Sequence, residues 1–358
     1  MRERLHPDVF RLPVDRLREG YYSDAYFNFT KQLLEERDLH PHVLMQVFQK
    51  ERSTLGGIDE AIALLKLCSG RPVEGWEGGW EQLDVRALYE GDEIAPWEPV
   101  LTIEGDYSLF AHLETVYLGC MARRTLVMRN VREVKDAAGD KQILFFPARH
   151  DHWLVQTGDG YAAHIAGAIG VSTDAQASWW GSEGVGTVPH ALIAAYGGDT
   201  VLASSKFAEH MDPGVRLITL VDFENDCVDT SLKVARALGE RLYGVRIDTS
   251  ETLVDKSVIP QMGTFKPTGV NPQLVRNVRG ALDKEGFQFV KIVVSGGFTV
   301  EKIRQFEVED VPVDMYGVGS SLFQGRFDFT ADVVRVEGKP VAKVGRSHRP
   351  NPRLERVD

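Results

Sequence analysis

Four apolar runs of this chain deliver reactive or phosphate-binding residue types at or just after their ends. VRLITLV (215–221) is followed by Asp222, and LYGVRID (242–248) closes with Arg246 and Asp248. FVKIVVS (289–295) runs into Ser295, Gly296 and Gly297, and VDMYGVG (313–319) brings Gly317, Gly319 and then Ser320. Arg246 and Asp248 stand two apart on one extended segment, so they face one side. Such a pair serves as a simple ion pair or as ligand machinery. In the second case the arginine suits a carboxylate or phosphate, and the aspartate suits ribose hydroxyls or positive charge developing on a sugar ring. Asp222 suits the same work, or Mg²⁺. Each glycine loop precedes a predicted helix. Glycine permits close backbone approach, and free N–H groups at such turns bind phosphate. The paired loops therefore suggest a sugar monophosphate.

Two further segments carry chemistry. FFPARHDH (145–152) offers a flat apolar ring in Phe145 or Phe146 and a fork of donors in Arg149, a pairing suited to an aromatic acid. His150 and His152 lack neighbours that would complete a metal-ligand set and read as surface or hydrogen-bonded histidines. GTVPHAL (186–192) sets His190 near the start of a predicted helix. Alone, that histidine reads as structural; among phosphate ligands it is a candidate for acid–base work or phosphoryl acceptance.

The elements that must position these residues alternate. Strand candidates at 142–146, 215–221, 242–248, 289–295 and 313–319 are separated by predicted helices at 159–169, 187–196, 228–240, 271–285 and 299–307. That rhythm predicts a parallel sheet, better a barrel, with its site at the C-terminal strand ends. Ahead of it the pattern predicts helices over 32–50, 58–68 and 111–129 and short strands within 91–107. Residues 331–345 read as a hairpin around Glu337-Gly338-Lys339 that returns to the N-terminal region. The last residues, RSHRPNPRLERVD, read as a frayed tail.

The 358 residues are 43% hydrophobic and 26% charged, with a net charge of −11. The balance is that of a globular chain, and the acidity argues against general nucleic-acid or anionic-membrane binding. Cys68, Cys120 and Cys227 are isolated, with no CxxC pair, which suits buried thiols in a reducing cytoplasm and no zinc site. No apolar stretch suits a signal peptide or a membrane span.

The ordered segments YYSDAYF (21–27), EGDY…LET (104–115), FFPAR (145–149), GVSTDAQ (170–176), GTVPHAL (186–192), VRIDTSE (245–251), SGGFT (295–299) and GVGSSL (317–322) resemble the nicotinate phosphoribosyltransferases, a family grouped with nicotinamide and quinolinate phosphoribosyltransferases. The resemblance runs from about residue 20 to about residue 345. It implies an α/β fold: an incomplete α/β barrel of the type II phosphoribosyltransferase kind over 113–330, with an α/β N-terminal domain over 1–112 completed by the C-terminal hairpin 331–358. It implies nicotinate and phosphoribosyl diphosphate as substrates, ATP and Mg²⁺ as cofactors, and a homodimer or larger assembly with shared sites. In that picture Tyr26 reaches from a partner to stack on the pyridine and Phe146 covers the other face. Arg246 holds the carboxylate, Arg149 the phosphoribosyl diphosphate, Asp248 the ribose, and Thr173 joins the substrate-binding set. Ser295, Gly296, Gly297, Gly317, Gly319 and Ser320 take the 5′-phosphate, and His190 is the histidine that ATP phosphorylates. Asp174, next to Thr173, is an acid of the kind that reads an amide, which keeps nicotinamide open as the base. Quinolinate as the base also stays open, as does a catalytically silent relative that binds a nucleotide.

Overall fold

The computed structural model describes residues 2–358. Its contacts divide the chain into two compact units: the residues up to Arg129 together with Gly325–Asp358, and Asn130–Gln324. In chain order the first unit opens with helices α1 (Val14–Arg18) and α2 (Ala25–Glu36), strands β1 (His42–Phe48) and β2 (Ser53–Thr54), and helix α3 (Ile58–Cys68). Strands β3 (Gly70–Val73), β4 (Gly75–Gly78), β5 (Asp84–Ala87), β6 (Glu93–Ile94) and β7 (Pro99–Asp106) follow. Helix α4 (Glu114–Ala138) carries the chain into the second unit.

Helical spacing over 32–50 predicts one helix, but α2 ends at Glu36 and β1 occupies most of the remainder. Asp38 turns the chain with a φ of 50°. Pro41 then disfavours helix at the residue before it. Strand β1 is buried at every position from Val43 to Phe48, so its apolar run is continuous and carries no period-2 signal.

The second unit alternates as the sequence predicts. Its elements are β8 (Gln142–Phe145), α5 (Gln156–Ile165), β9 (Gly170–Val171), α6 (Asp174–Ala177), α7 (His190–Ala195), α8 (Thr200–His210) and β10 (Leu217–Leu220). Then come α9 (Cys227–Leu238), β11 (Leu242–Ile247), α10 (Pro272–Lys284), β12 (Lys291–Val294), α11 (Val300–Val308) and β13 (Met315–Val318). The sheet order is β10-β11-β12-β13-β8-β9, and the pairings are parallel. The segment between α6 and α7 bridges its two edges. Val185 N donates to Val171 O at 2.7 Å, beside β9, and Val188 N donates to Ile218 O at 2.8 Å, on β10. The result is an incomplete α/β barrel whose last stave is irregular. Leu144, Ile218, Val293 and Met315 pack one cluster of its core.

The chain then returns to the first unit with β14 (Thr330–Val336), β15 (Lys339–Pro340) and β16 (Glu355–Arg356). The hairpin turn has Glu337 at φ 49° and Gly338 at φ 71°, both left-handed as a two-residue turn requires. The sheet order is β15-β14-β1-β7-β5-β16. The expected frayed tail is instead tied down. Strand β16 pairs antiparallel with β5, Asn351 Nδ2 donates to Pro99 O at 2.8 Å, and Val357 is buried in the main core. Val357 N donates to Val85 O at 2.9 Å, a closure that the charged composition of the segment conceals.

Candidate active site

The barrel register brings the polar strand ends together. Ile247 pairs with Val294, and Ser295 N donates to Ile247 O at 3.0 Å, which sets Asp248 beside Ser295. Ser295 Oγ donates to Asp248 Oδ1 at 2.7 Å and accepts from Arg246 Nε at 2.7 Å. Arg246 Nη2 reaches Asp248 Oδ2 at 3.3 Å, and Nη1 reaches Thr187 Oγ1 at 3.3 Å. The guanidinium is thus held by three partners, with its carbon 5.3 Å from the centre of the Phe146 ring. Burial lowers the Arg246 pKa from its usual value, and Asp248 and Asp222 oppose that shift. An arginine remains charged under such a shift, so the pocket keeps a desolvated cation over an aromatic face.

These groups line a cavity of about 650 Å³ at the C-terminal ends of the strands. Its wall includes Phe146, Arg149, Thr173, His190, Arg246 and Asp248, together with both glycine loops. Gly317 leaves room for the ring: a Cβ there would stand 2.9 Å from Phe146 Cδ2. Gly296 and Gly297 adopt φ of 85° and 65°, which side-chain-bearing residues resist. Thr299 then caps α11 by accepting from Lys302 N. The second glycine loop leads not into the expected helix but into a short 3-10 turn, Ser320–Phe323.

His190 is the first residue of α7 and reaches Asp222 Oδ1 through Nε2 at 2.9 Å. A carboxylate only accepts, so Nε2 donates. The hydrogen bond with Asp222 raises the His190 pKa above its ordinary value, against a smaller lowering from burial. The His190 side chain is 43% exposed and that of Asp222 only 8%. Asp222 is outside the cavity wall and meets it through the histidine.

Two residues stand otherwise than their sequence setting suggests, and a third keeps its expected exposure but joins the wall. Thr173 lines the cavity, but its Oγ1 accepts from Gln176 N at 3.2 Å and donates to Gln156 Oε1 at 2.9 Å. The Asp174 carboxylate accepts from Gly184 N at 2.9 Å and is not part of the wall. His150, which reads from sequence as a surface or hydrogen-bonded histidine, is exposed and also lines the cavity, with Nε2 3.1 Å from where a Cβ on Gly319 would sit. Thr187 holds Arg246 without any motif of its own to mark it; its place in the same corner as His190 is the signal that sequence offers. Tyr26 belongs to the first unit, on α2, where it is 59% exposed.

Among the described residues no group of three or more His, Cys, Asp or Glu side chains is placed to hold a metal ion. Both Asp248 oxygens and one Asp222 oxygen already accept hydrogen bonds.

A parallel, incomplete α/β barrel with paired glycine loops beside an Arg–Asp pair, joined to a mixed α/β unit, is the architecture of the type II phosphoribosyltransferases. The model of the quinolinate phosphoribosyl transferase N-terminal domain matches residues 24–125. The solved nicotinate-nucleotide pyrophosphorylase from Pyrococcus furiosus is 35% identical, with 94% of this chain and 81% of that one covered and a TM-score of 0.78. A nicotinate phosphoribosyltransferase of Mycobacterium tuberculosis is 31% identical over 274 residues, covering 73% of this chain and 55% of the relative. The chain therefore spans about half the length of the curated relatives it matches. The human nicotinic acid phosphoribosyltransferase shares the fold, at 18% identity with a TM-score of 0.66, over 89% of this chain and 75% of that one. The chain belongs, with that pyrophosphorylase, to the type II phosphoribosyltransferases, and its likeness to the nicotinate phosphoribosyltransferases extends over 73% of it. Among the described residues no helix is long and apolar enough to cross a membrane.

Proposed function

We propose that this protein transfers the phosphoribosyl group of phosphoribosyl diphosphate to nicotinate, forming nicotinate mononucleotide and diphosphate, with ATP coupled through a phosphohistidine at His190. The observation that carries the reading is the Arg246 guanidinium, held by Ser295, Thr187 and Asp248 beside the Phe146 ring. A planar pyridine lies against Phe146 while its carboxylate meets Arg246. The two glycine loops take the 5′-phosphate, Arg149 the diphosphate side, and Asp248 the ribose. The pyridine nitrogen lone pair forms the new N–C1 bond as the C1–O bond breaks and its pair leaves with diphosphate. The carboxylate of Asp248 favours the positive charge that develops on the sugar.

Mg²⁺ fits this site only in company: diphosphate oxygens would hold it, since both Asp248 oxygens are engaged and Asp222 stands behind His190, and it would neutralise the leaving group. With the Nε2 proton turned to Asp222, the imidazole lone pair lies on Nδ1. That nitrogen bonds the terminal phosphorus of ATP as the P–O bond to ADP breaks. The added charge beside the diphosphate orders the loaded site.

Nicotinate is favoured over nicotinamide because Asp174, the acid that would read an amide, is engaged with Gly184 N and stands outside the wall. Quinolinate, with two carboxylates, asks for more cationic wall than Arg149 and Arg246 supply. The test is product formation from phosphoribosyl diphosphate and Mg²⁺ with each of the three bases, with and without ATP. ATP-stimulated turnover of nicotinate is expected. Preference for nicotinamide or quinolinate would overturn the base assignment, and absence of turnover with all three would leave a silent binder.

A further inference from the structure

A second cavity, of about 410 Å³, lies between the segment after β11 and helices α10 and α11. Its wall includes Glu251, Phe265, Lys266, Arg276, Lys302 and Glu309. The charges do not cancel locally. Lys266 and Lys302 share one carboxylate, each 3.7 Å from an oxygen of Glu251. Arg276 donates to the backbone carbonyl of Glu309, while the Glu309 carboxylate accepts from Gln305 Nε2 at 2.9 Å. Three cations therefore face a wall in which Glu251 is the carboxylate that two of them share. Phe265 adds an aromatic face.

This cavity stands behind the first glycine loop. Lys302 Nζ donates to Gly296 O at 3.2 Å and lies 4.5 Å from the centre of the Phe298 ring. Glu251 Oε1 is 2.5 Å from where a Cβ on Gly297 would sit. The ion pair between Lys302 and Glu251 thus stands against both glycines.

We propose that the second cavity binds a phosphorylated small molecule bearing a planar ring, of nucleoside-monophosphate size. Its volume falls in the range of small-ligand sites. The phosphoryl group pairs with Lys266 and Arg276, and the ring lies against Phe265. An anion there competes with Glu251 for Lys266, leaves Glu251 to Lys302 alone, and so alters the brace on Gly296 and Gly297. The consequence for that loop rests on the phosphate-binding role proposed above; the binding itself does not.

The test is titration of the full chain with adenosine 5′-monophosphate, followed by calorimetry and by hydrogen exchange of residues 252–270. Wild-type protein should show protection of 252–270. The double variant Lys266→Ala/Arg276→Ala should bind at least tenfold more weakly. Lys266→Ala alone, at a side chain 71% exposed, repeats the comparison where the double variant melts early. An unchanged isotherm in these variants, or protection confined to residues 146–150 and 187–190, overturns the site. Inorganic phosphate should protect 252–270 at least tenfold less well; equal potency overturns the ring-bearing ligand class. None of these readouts uses turnover, so an inactive transferase leaves the outcome intact.

Discussion

His190 meets Asp222 through Nε2, and the sign of that contact decides how the ring titrates. The imidazolium is the better donor to a carboxylate, so the charged form is favoured and the pKa rises above the ordinary 6.5. The neutral ring, the only form able to take a phosphoryl group, is then populated at higher pH than for a free histidine. Histidine NMR titration should put the His190 midpoint above 6.5 and move it down in Asp222→Asn. A midpoint unmoved by that substitution would detach the pair. Asp248→Asn removes the anion nearest the Arg246–Ser295 network and should cut kcat by about 10²-fold or more while nicotinate still binds. Near-normal turnover would take Asp248 out of the chemistry. Much of this site is legible in the sequence: strand-end Asp, Arg and Gly residues are read directly from where apolar runs stop. Contact across the barrel is not. Nothing in the spacing of 190, 222, 246 and 295 says that His190 meets Asp222 or that Ser295 bridges Arg246 and Asp248. His150 reads as a surface residue and is one, but its place against the Gly319 loop, far along the chain, does not show in the sequence.

At the scale of elements, the barrel strands announce themselves because buried parallel strands are short apolar runs bounded by turns. Helix α3 has the bounds its sequence predicts, with Asp59 and Glu60 in the first turn and Lys66 in the last. Two of the failures share one cause: tertiary pairing overrules local pattern. Strand β1 carries apolar spacing that also fits a helix, and only its place between β14 and β7 makes it a strand. Strand β16 has two residues of regular pairing and charged neighbours, and only β5 gives it an identity. The tail is therefore expected to stabilise the first unit. Removing residues 353–358 exposes the cleft that Leu354 and Val357 cover. That loss should cost about 2–4 kcal/mol, read as a fall in Tm of roughly 5–10 °C. A truncated chain that melts with the wild type would mean the tail is only laid on the surface.

For the whole molecule, the open question is how the exposed face of α2 is covered. Tyr26, Phe29 and Leu33 follow at i, i+3 and i+7, so they share one side of the helix, and they are 59%, 67% and 55% exposed. An apolar stripe of that kind marks an interaction surface. We propose a second copy of the chain as its occupant, and in a two-fold dimer each copy presents the same face to the other. If Tyr26 completes the site of its partner, two separately inactive variants repair one another. Tyr26→Ala lacks the ring that leaves its own subunit, and Arg246→Ala lacks the cation within. In a mixed dimer one of the two sites has both. Mixing the variants after reversible dissociation should restore about a quarter of wild-type activity, since roughly half the dimers are hybrids and each carries one intact site of two. Sedimentation velocity on the wild type, and on Tyr26→Asp/Phe29→Asp, supplies the physical control: a dimer that the double substitution splits. A wild-type monomer with full activity, or a mixture no more active than its parts, would confine the site to one chain and leave Tyr26 without a role in it.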